Sequence, residues 1–99
     1  MNAEAIGWSN GEWNSADALG IPLTDRGLQL ADGLFETILI QDGQIQLLNE
    51  HLRRWQQSAT WLGMAAPPGA EVLKELISEA INRTKLNREG SAGALRLNW

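Results

Sequence analysis

Cysteine and tyrosine are absent from the 99-residue sequence, and histidine and phenylalanine each occur once. Without cysteine there is neither a disulfide framework nor a thiolate metal site, so the sequence says nothing about redox compartment. One histidine among scattered carboxylates does not assemble a metal site either, and we expect none.

Basic residues are outnumbered, since eight Lys and Arg stand against twelve Asp and Glu for a net charge of −4. Nucleic acids and anionic membranes require a positive field, so we expect neither as a partner. No apolar run approaches the roughly 20 residues that span a bilayer. The first five residues lack the basic and apolar stretches of a secretory leader. These absences predict a cytoplasmic protein.

The composition that remains is that of a folded domain, with 43% hydrophobic and 20% charged residues. A chain of this length fits one small domain, residues 1–99, with a limited core. Tryptophan is unusually frequent at five residues. We expect these rings to anchor the core or an interface.

Two tight turns predict two hairpins. Residues 10–11 (NG) separate short segments that contain isoleucine and tryptophan. Residues 42–43 (DG) separate the apolar runs 34–41 and 44–48, and Gly43 can supply the left-handed backbone that such a turn requires.

Helical periodicity begins after the second hairpin. One apolar stripe has spacings of four and three residues, with Asn49 as the predicted N-cap and Gly63 as the residue after the C-cap: Leu48, Leu52, Trp55, Ala59 and Leu62. Residues 67–69 (PPG) interrupt the chain, and a second stripe runs from Leu73 to Thr84. Residues 94–99 then alternate like a strand. This order predicts an α+β fold, a two-layer small domain with a mostly antiparallel sheet and two helices on one face.

Four segments occur in an order that resembles one enzyme family: residues 25–27 (DRG), 31–37 (ADGLFET), 42–43 (DG) and 48–54 (LNEHLRR). The succession resembles the N-terminal domain of the class IV (fold type IV) pyridoxal-phosphate aminotransferases and of aminodeoxychorismate lyase. The resemblance covers nearly the whole chain and implies pyridoxal 5′-phosphate as the cofactor of the complete enzyme.

The resemblance implies a role for three residues. Arg54 occupies the position of the family's arginine for the cofactor phosphate, and a planar, permanently charged guanidinium suits that ligand. Phe35 falls where the family presents an aromatic ring to the substrate, and Arg96 resembles an arginine directed at substrate carboxylates. D-amino-acid transaminases have a tyrosine at the position of Phe35, and this departure disfavours that activity.

Three neighbouring positions receive weaker assignments. His51 is expected to make a structural hydrogen bond rather than to act in catalysis. Either Glu36 or Thr37 should face the cleft, and strand alternation alone does not decide between them. Arg53 lies about 100° around the helix from Arg54 and is expected to be solvated.

No catalytic residue is predicted in this chain, because the family's Schiff-base lysine lies in a downstream domain. Lys74 and Lys85 do not match its position. The resemblance therefore implies an N-terminal domain whose C-terminal, lysine-bearing domain is absent, and whether the chain by itself is an enzyme stays open.

The sequence of residues 31–37 is most similar to that of aminodeoxychorismate lyase. This enzyme eliminates pyruvate from aminodeoxychorismate to give 4-aminobenzoate for folate synthesis. A branched-chain amino-acid aminotransferase, acting on amino and oxo acids, is the alternative within the family. A non-catalytic remnant that only packs against a partner is the alternative outside it. Members of the family form homodimers, which makes a dimer a further expectation.

Overall fold

A computed structural model of the chain describes residues 5–99. The elements in this range are five strands and three α-helices: β1 (Ile6–Ser9), β2 (Glu12–Ser15), α1 (Arg26–Leu30), β3 (Phe35–Gln41), β4 (Gln44–Ile45), α2 (Leu48–Trp61), α3 (Ala70–Thr84) and β5 (Ala92–Asn98). Most of the N-terminal stretch that argues against a leader lies outside the described residues. Among the helices of residues 5–99, none combines the length and the hydrophobicity that a membrane span requires.

The first predicted hairpin is confirmed. β1 and β2 pair antiparallel, with Trp8 opposite Trp13, and both turn residues have a positive φ, 50° at Asn10 and 90° at Gly11. This small sheet contacts α3, where the guanidinium carbon of Arg83 lies 4.8 Å from the centre of the Trp13 ring.

The second hairpin is also confirmed and forms part of a three-stranded antiparallel sheet with the order β4-β3-β5. Its turn has a φ of 53° at Asp42 and 77° at Gly43. β4 is shorter than predicted, because Leu47 already adopts a left-handed backbone that turns the chain into α2. A Cβ at Gly43 would lie 3.3 Å from backbone atoms of Asn87, so the turn packs closely on the loop before β5.

Helices α2 and α3 cover one face of this sheet, which confirms the predicted two-layer α+β architecture. The core joins buried side chains from the strand and both helices: Ile40, Leu52, Trp55, Leu73, Ile77 and Ile81. Gly63 ends α2 as predicted, with a φ of 68° and its amide donating to the carbonyl of Thr60. Asn49, however, is exposed within the first turn of α2, and the N-cap position belongs to Leu47.

Helix α1 was not predicted, since its five residues are too few to show a periodicity. Local polar contacts define it instead. The Asp25 carboxylate accepts from the amide of Leu28 at 3.3 Å, and Arg26 Nε donates to Asp32 Oδ2 at 2.8 Å. Residues 25–27 and 31–33 thus form one clip that delivers the chain to β3.

The tryptophans divide between the core and the surface. Trp55 is 3% exposed, whereas Trp61 is 75% exposed and Trp8 and Trp99 are about two-fifths exposed. The Trp99 ring nevertheless meets that of Trp55 edge to face, with 6.3 Å between centroids. Among the described residues, only Trp55 is a core tryptophan, because the other rings lie on edges and helix ends that this small core does not reach.

Candidate functional site

Strand β3 divides the candidate residues between two environments. Its side chains alternate strictly between exposed and buried along all seven residues. Glu36, Ile38 and Ile40 point toward the helices, while Phe35 and Thr37 lie on the open face of the sheet. Of the two positions that alternation left undecided, Thr37 lies on the open face and Glu36 lies beneath the helices.

The buried side of β3 begins with a charged cluster formed by Glu36, His51 and Arg54. Glu36 is 8% exposed and its carboxylate accepts three hydrogen bonds from side chains of α2. Arg54 donates through Nε to Oε2 at 2.9 Å and through Nη2 to Oε1 at 2.6 Å. His51 Nδ1 lies 2.6 Å from Oε1. Since α2 places residues three apart on one face, its first two turns present both partners to the same carboxylate.

These contacts hold Glu36 in its ionised form. The hydrogen bonds from Arg54 lower the pKa of Glu36, burial acts in the opposite direction, and the hydrogen bond from His51 lowers the pKa further. The same contact raises the pKa of Arg54. An ionised carboxylate can only accept, so the Nδ1–H group of His51 donates this hydrogen bond to Glu36. This is the structural hydrogen bond expected for His51.

The guanidinium of Arg54 keeps unused donors on its outer edge. Two of its five N–H groups bind Glu36, which leaves three. The side chain is 67% exposed, and within residues 5–99 these three groups have no hydrogen-bond acceptor. An oriented, accessible fork of N–H donors is the chemistry that a phosphate requires. The donor set at Arg54 therefore fits the phosphate group of a cofactor.

The open face of the sheet carries a second cationic group. Arg96 lies opposite Thr37 in the register of β3 and β5, and its guanidinium carbon is 4.0 Å from the centre of the Phe35 ring. Arg96 Nε also donates to Asn98 Oδ1 at 3.0 Å. The phenyl ring and the amide together hold the guanidinium over the sheet, where it can meet a carboxylate.

The predicted site residues therefore lie at the two faces of the start of β3. Phe35 and Arg96 are in contact on the open face, and Arg54 is tied to the opposite face through Glu36. Sequence reasoning missed the pairing of Glu36 with Arg54. Its only signal was that Glu36 is the one charged residue of strand β3. Within the described range, no group of three or more acidic or histidine side chains could hold a metal ion.

Comparison with known proteins places this arrangement in a family. The profile described as "Amino-transferase class IV" matches residues 33–99, which include β3, both long helices and β5. The chain belongs to the class IV aminotransferase family. Enzymes of this family depend on pyridoxal phosphate.

Curated class IV relatives resemble the chain over part of their length. A D-alanine aminotransferase of Listeria monocytogenes is 30% identical over 67 residues, which are 68% of this chain and 23% of the relative. A D-alanine aminotransferase of Staphylococcus aureus is 29% identical over 77 residues, 78% of this chain and 27% of the relative. The chain thus spans about a quarter of the length of these curated relatives.

Solved class IV structures share the fold. A hypothetical aminotransferase from Mycobacterium tuberculosis, in a form described as PLP-bound, superposes with a TM-score of 0.77 at 29% identity over 90% of this chain and 31% of its own. A branched-chain aminotransferase from Thermoproteus uzoniensis gives 0.77 at 20% identity, over 96% of this chain and 32% of its own. The predicted fold and family are confirmed.

Proposed function

We propose that this chain is the N-terminal, phosphate-binding part of a pyridoxal-phosphate enzyme and that Arg54 contacts the cofactor phosphate. The observation that carries the proposal is the three free N–H donors of a guanidinium that Glu36 holds in place. When bound, pyridoxal phosphate supplies the electron sink for amino-acid chemistry. The work of this chain is to bind and orient.

On the open face, Phe35 and Arg96 are the proposed substrate contacts. Their stacking keeps a cation at a fixed height above the sheet, where a substrate carboxylate can accept from the guanidinium. Phe35 contributes an apolar ring and no hydroxyl, so it can limit the shape of a substrate but cannot hydrogen-bond it. The substrate class that follows is a small amino or oxo acid that carries a carboxylate.

Within this class, the finer proposal is an aminodeoxychorismate lyase-like reaction, in which pyruvate is eliminated and 4-aminobenzoate is formed. The sequence of residues 31–37 and the phenyl ring at Phe35 support it. A branched-chain aminotransferase is the second candidate, supported by the apolar ring beside a carboxylate-binding arginine. Supplying either substrate to the complete enzyme distinguishes the two, because only the first reaction releases 4-aminobenzoate.

The proposal includes a partner domain. A lysine-bearing domain would complete the cofactor site, and the short coverage of the relatives supports its existence. A homodimer and a cytoplasmic location remain predictions of the same proposal. The competing hypothesis is a non-catalytic remnant that only packs against a partner. Substrate-dependent turnover by the complete polypeptide would eliminate this hypothesis.

Arg54 variants of the complete polypeptide test the cofactor site. Arg54→Ala should weaken pyridoxal-phosphate binding roughly 10- to 150-fold, the range expected when a hydrogen bond to a charged group is lost. Arg54→Lys should recover only part of the affinity, because a point ammonium cannot reproduce the planar fork. The measurement is a spectroscopic titration with the cofactor.

Two controls make the titration specific. Arg53→Ala removes an exposed arginine from the adjacent helix position and should leave the affinity almost unchanged. Pyridoxal, which lacks the phosphate, should bind wild type and Arg54→Ala alike. Equal and small losses for Arg53→Ala and Arg54→Ala would eliminate Arg54 as a phosphate ligand.

A further inference from the structure

Glu36 is a charged residue at a buried position of β3 that would ordinarily hold an apolar side chain. It stands on the face of β3 that continues with Ile38 and Ile40, and it is 8% exposed. Burial of the Glu36 carboxylate costs desolvation free energy that offsets much of its attraction to Arg54, whose side chain is 67% exposed, and apolar replacements of paired buried charges are often tolerated. Stability of the fold alone therefore does not account for a carboxylate at this position.

What Glu36 does accomplish is geometric. Its two oxygens bind the Nε and Nη2 groups of Arg54, the side of the guanidinium fork nearest the side-chain stem. Both contacts together fix the plane and the direction of a side chain that is 67% exposed. An arginine in that much solvent otherwise samples many rotamers, and a ligand has to restrict them on binding.

His51 holds the carboxylate in turn. It is 18% exposed and donates from Nδ1 to the same Oε1 atom that accepts from Arg54 Nη2. Since His51 and Arg54 lie three residues apart on α2, both reach the carboxylate from the same face of the helix. The three side chains form a chain of contacts that ends in the free edge of the guanidinium.

Resting on the phosphate site proposed above, we propose that Glu36 is a positioning residue, held by His51, which orients the guanidinium of Arg54 toward the phosphate of the cofactor. Glu36 itself does not touch that ligand. Its contribution is to order the exposed arginine before the phosphate binds, so that less conformational entropy is lost on binding.

The loss of charge and the loss of orientation in Glu36→Gln should change phosphate affinity in opposite directions, which makes this inference testable. Glu36→Gln removes a negative charge beside the phosphate site, so electrostatics alone would strengthen phosphate binding. Loss of orientation would weaken it, because a glutamine has one acceptor oxygen and cannot reproduce the two-oxygen contact with Nε and Nη2 of Arg54. We expect binding of pyridoxal phosphate to weaken about 10-fold, while binding of pyridoxal stays unchanged.

Conservative variants separate the two partners. Glu36→Asp keeps the charge but shortens the side chain by one methylene, and it should weaken binding as Glu36→Gln does. His51→Asn keeps an N–H donor near the position of Nδ1 and should retain most of the affinity, whereas His51→Ala should lose about as much as Glu36→Gln. Glu79→Gln, which breaks the exposed pair with Arg83, is the matched control and should change nothing.

A second readout follows Arg54 directly. In NMR spectra of the complete polypeptide without cofactor, the Nε–H signal of Arg54 should exchange slowly with water and become fast in Glu36→Gln. The Nε–H of Arg83, whose glutamate partner is 47% exposed, is the internal reference for a solvent-exposed pair. Far-ultraviolet circular dichroism checks that each variant remains folded.

The outcomes distinguish this inference from the function on which it rests. If Arg54→Ala leaves pyridoxal-phosphate affinity intact, the phosphate site itself is wrong and the inference falls with it. If Arg54→Ala weakens binding while Glu36→Gln strengthens it or leaves it unchanged, the phosphate site stands and the positioning role is overturned. Weakening by Glu36→Gln, Glu36→Asp and His51→Ala, together with fast exchange at Arg54 Nε, establishes the role.

Discussion

Phe35 and Glu36 are consecutive residues of β3, yet each contacts a different arginine on a different face of the sheet. The Phe35 ring lies under Arg96 on the open face, and the Glu36 carboxylate binds Arg54 on the helix-covered face. A strand changes sides at every residue, so one peptide step separates the two environments. In the proposed function, the two arginines contacted by these neighbouring residues are assigned to a phosphate and to a substrate carboxylate.

Acid should destabilise the protein partly through Glu36. Its pKa is lowered by Arg54, so the ionised pair stabilises the fold at pH values above the ordinary glutamate pKa, and this contribution is lost as the pH falls through the lowered value. Wild type should thus exceed Glu36→Gln in unfolding free energy near neutral pH, and the difference should shrink below about pH 4. Urea unfolding across this range measures it.

Glu79→Gln serves as the reference for this measurement. It removes a helix pair with Arg83 whose two side chains are both 47% exposed, and such pairs contribute about 0.5 kcal/mol or less. If the advantage of wild type over Glu36→Gln instead grew toward acid pH, the Glu36 carboxylate would not be the group that acid protonates to weaken the fold.

Gly43 should tolerate alanine less well than Gly63, although both have a positive φ. The left-handed backbone costs an alanine about 1–2 kcal/mol at either position. At Gly43 the new Cβ would also meet backbone atoms of Asn87 at 3.3 Å, whereas nothing lies within 4 Å at Gly63. We expect Gly43→Ala to cost about 1 kcal/mol more than Gly63→Ala, since backbone cannot move aside as a side chain does.

Chemical unfolding of the two glycine variants measures this difference, and the slope against denaturant should be the same for both. Equal losses of stability would mean that the loop at Asn87 moves away from the turn without cost.

The 99-residue chain should not form a lasting Schiff base with pyridoxal phosphate. Lys74 and Lys85 are both exposed, on the outer side of α3 and at its C-terminal end. Schiff-base lysines are commonly activated by desolvation, which these two exposed side chains lack. Absorbance spectra during a cofactor titration should show no band that an added amino acid discharges. A saturable band that disappears in Lys74→Ala or Lys85→Ala would contradict this expectation.

Local sequence signals predicted the parts of the fold that are determined locally. The two turns at residues 10–11 and 42–43 and the end of α2 at Gly63 all follow from backbones that few residues adopt. Helix α1 escaped prediction because its five residues are held by Asp25, Arg26 and Asp32 rather than by an apolar stripe. The entry into α2 was misplaced because Leu47 is an unusual residue for a left-handed position.

The site was less predictable than the fold. Arg54, Phe35 and Arg96 were named from the family resemblance, but their division between two faces depends on the register of β3 with β5. That register is a tertiary property, and alternation along one strand cannot supply it. The partnership of Glu36 with Arg54 joins residues 18 apart in sequence, across a strand, a turn and half a helix.

The clip formed by residues 25–27 and 31–33 bears on how proteins of this kind are recognised. Its residues belong to the DRG and ADG segments that carry much of the family resemblance. Their observed role is structural, since they cap a helix, form an ion pair and bring Gly27 close to Gly33. None of these contacts uses a residue of the proposed site, so the clip identifies an architecture rather than a reaction. A D-alanine aminotransferase is similar to this chain in sequence, and a branched-chain aminotransferase shares its fold. Under the proposed function, substrate preference is determined by other residues, among them Phe35 and Arg96.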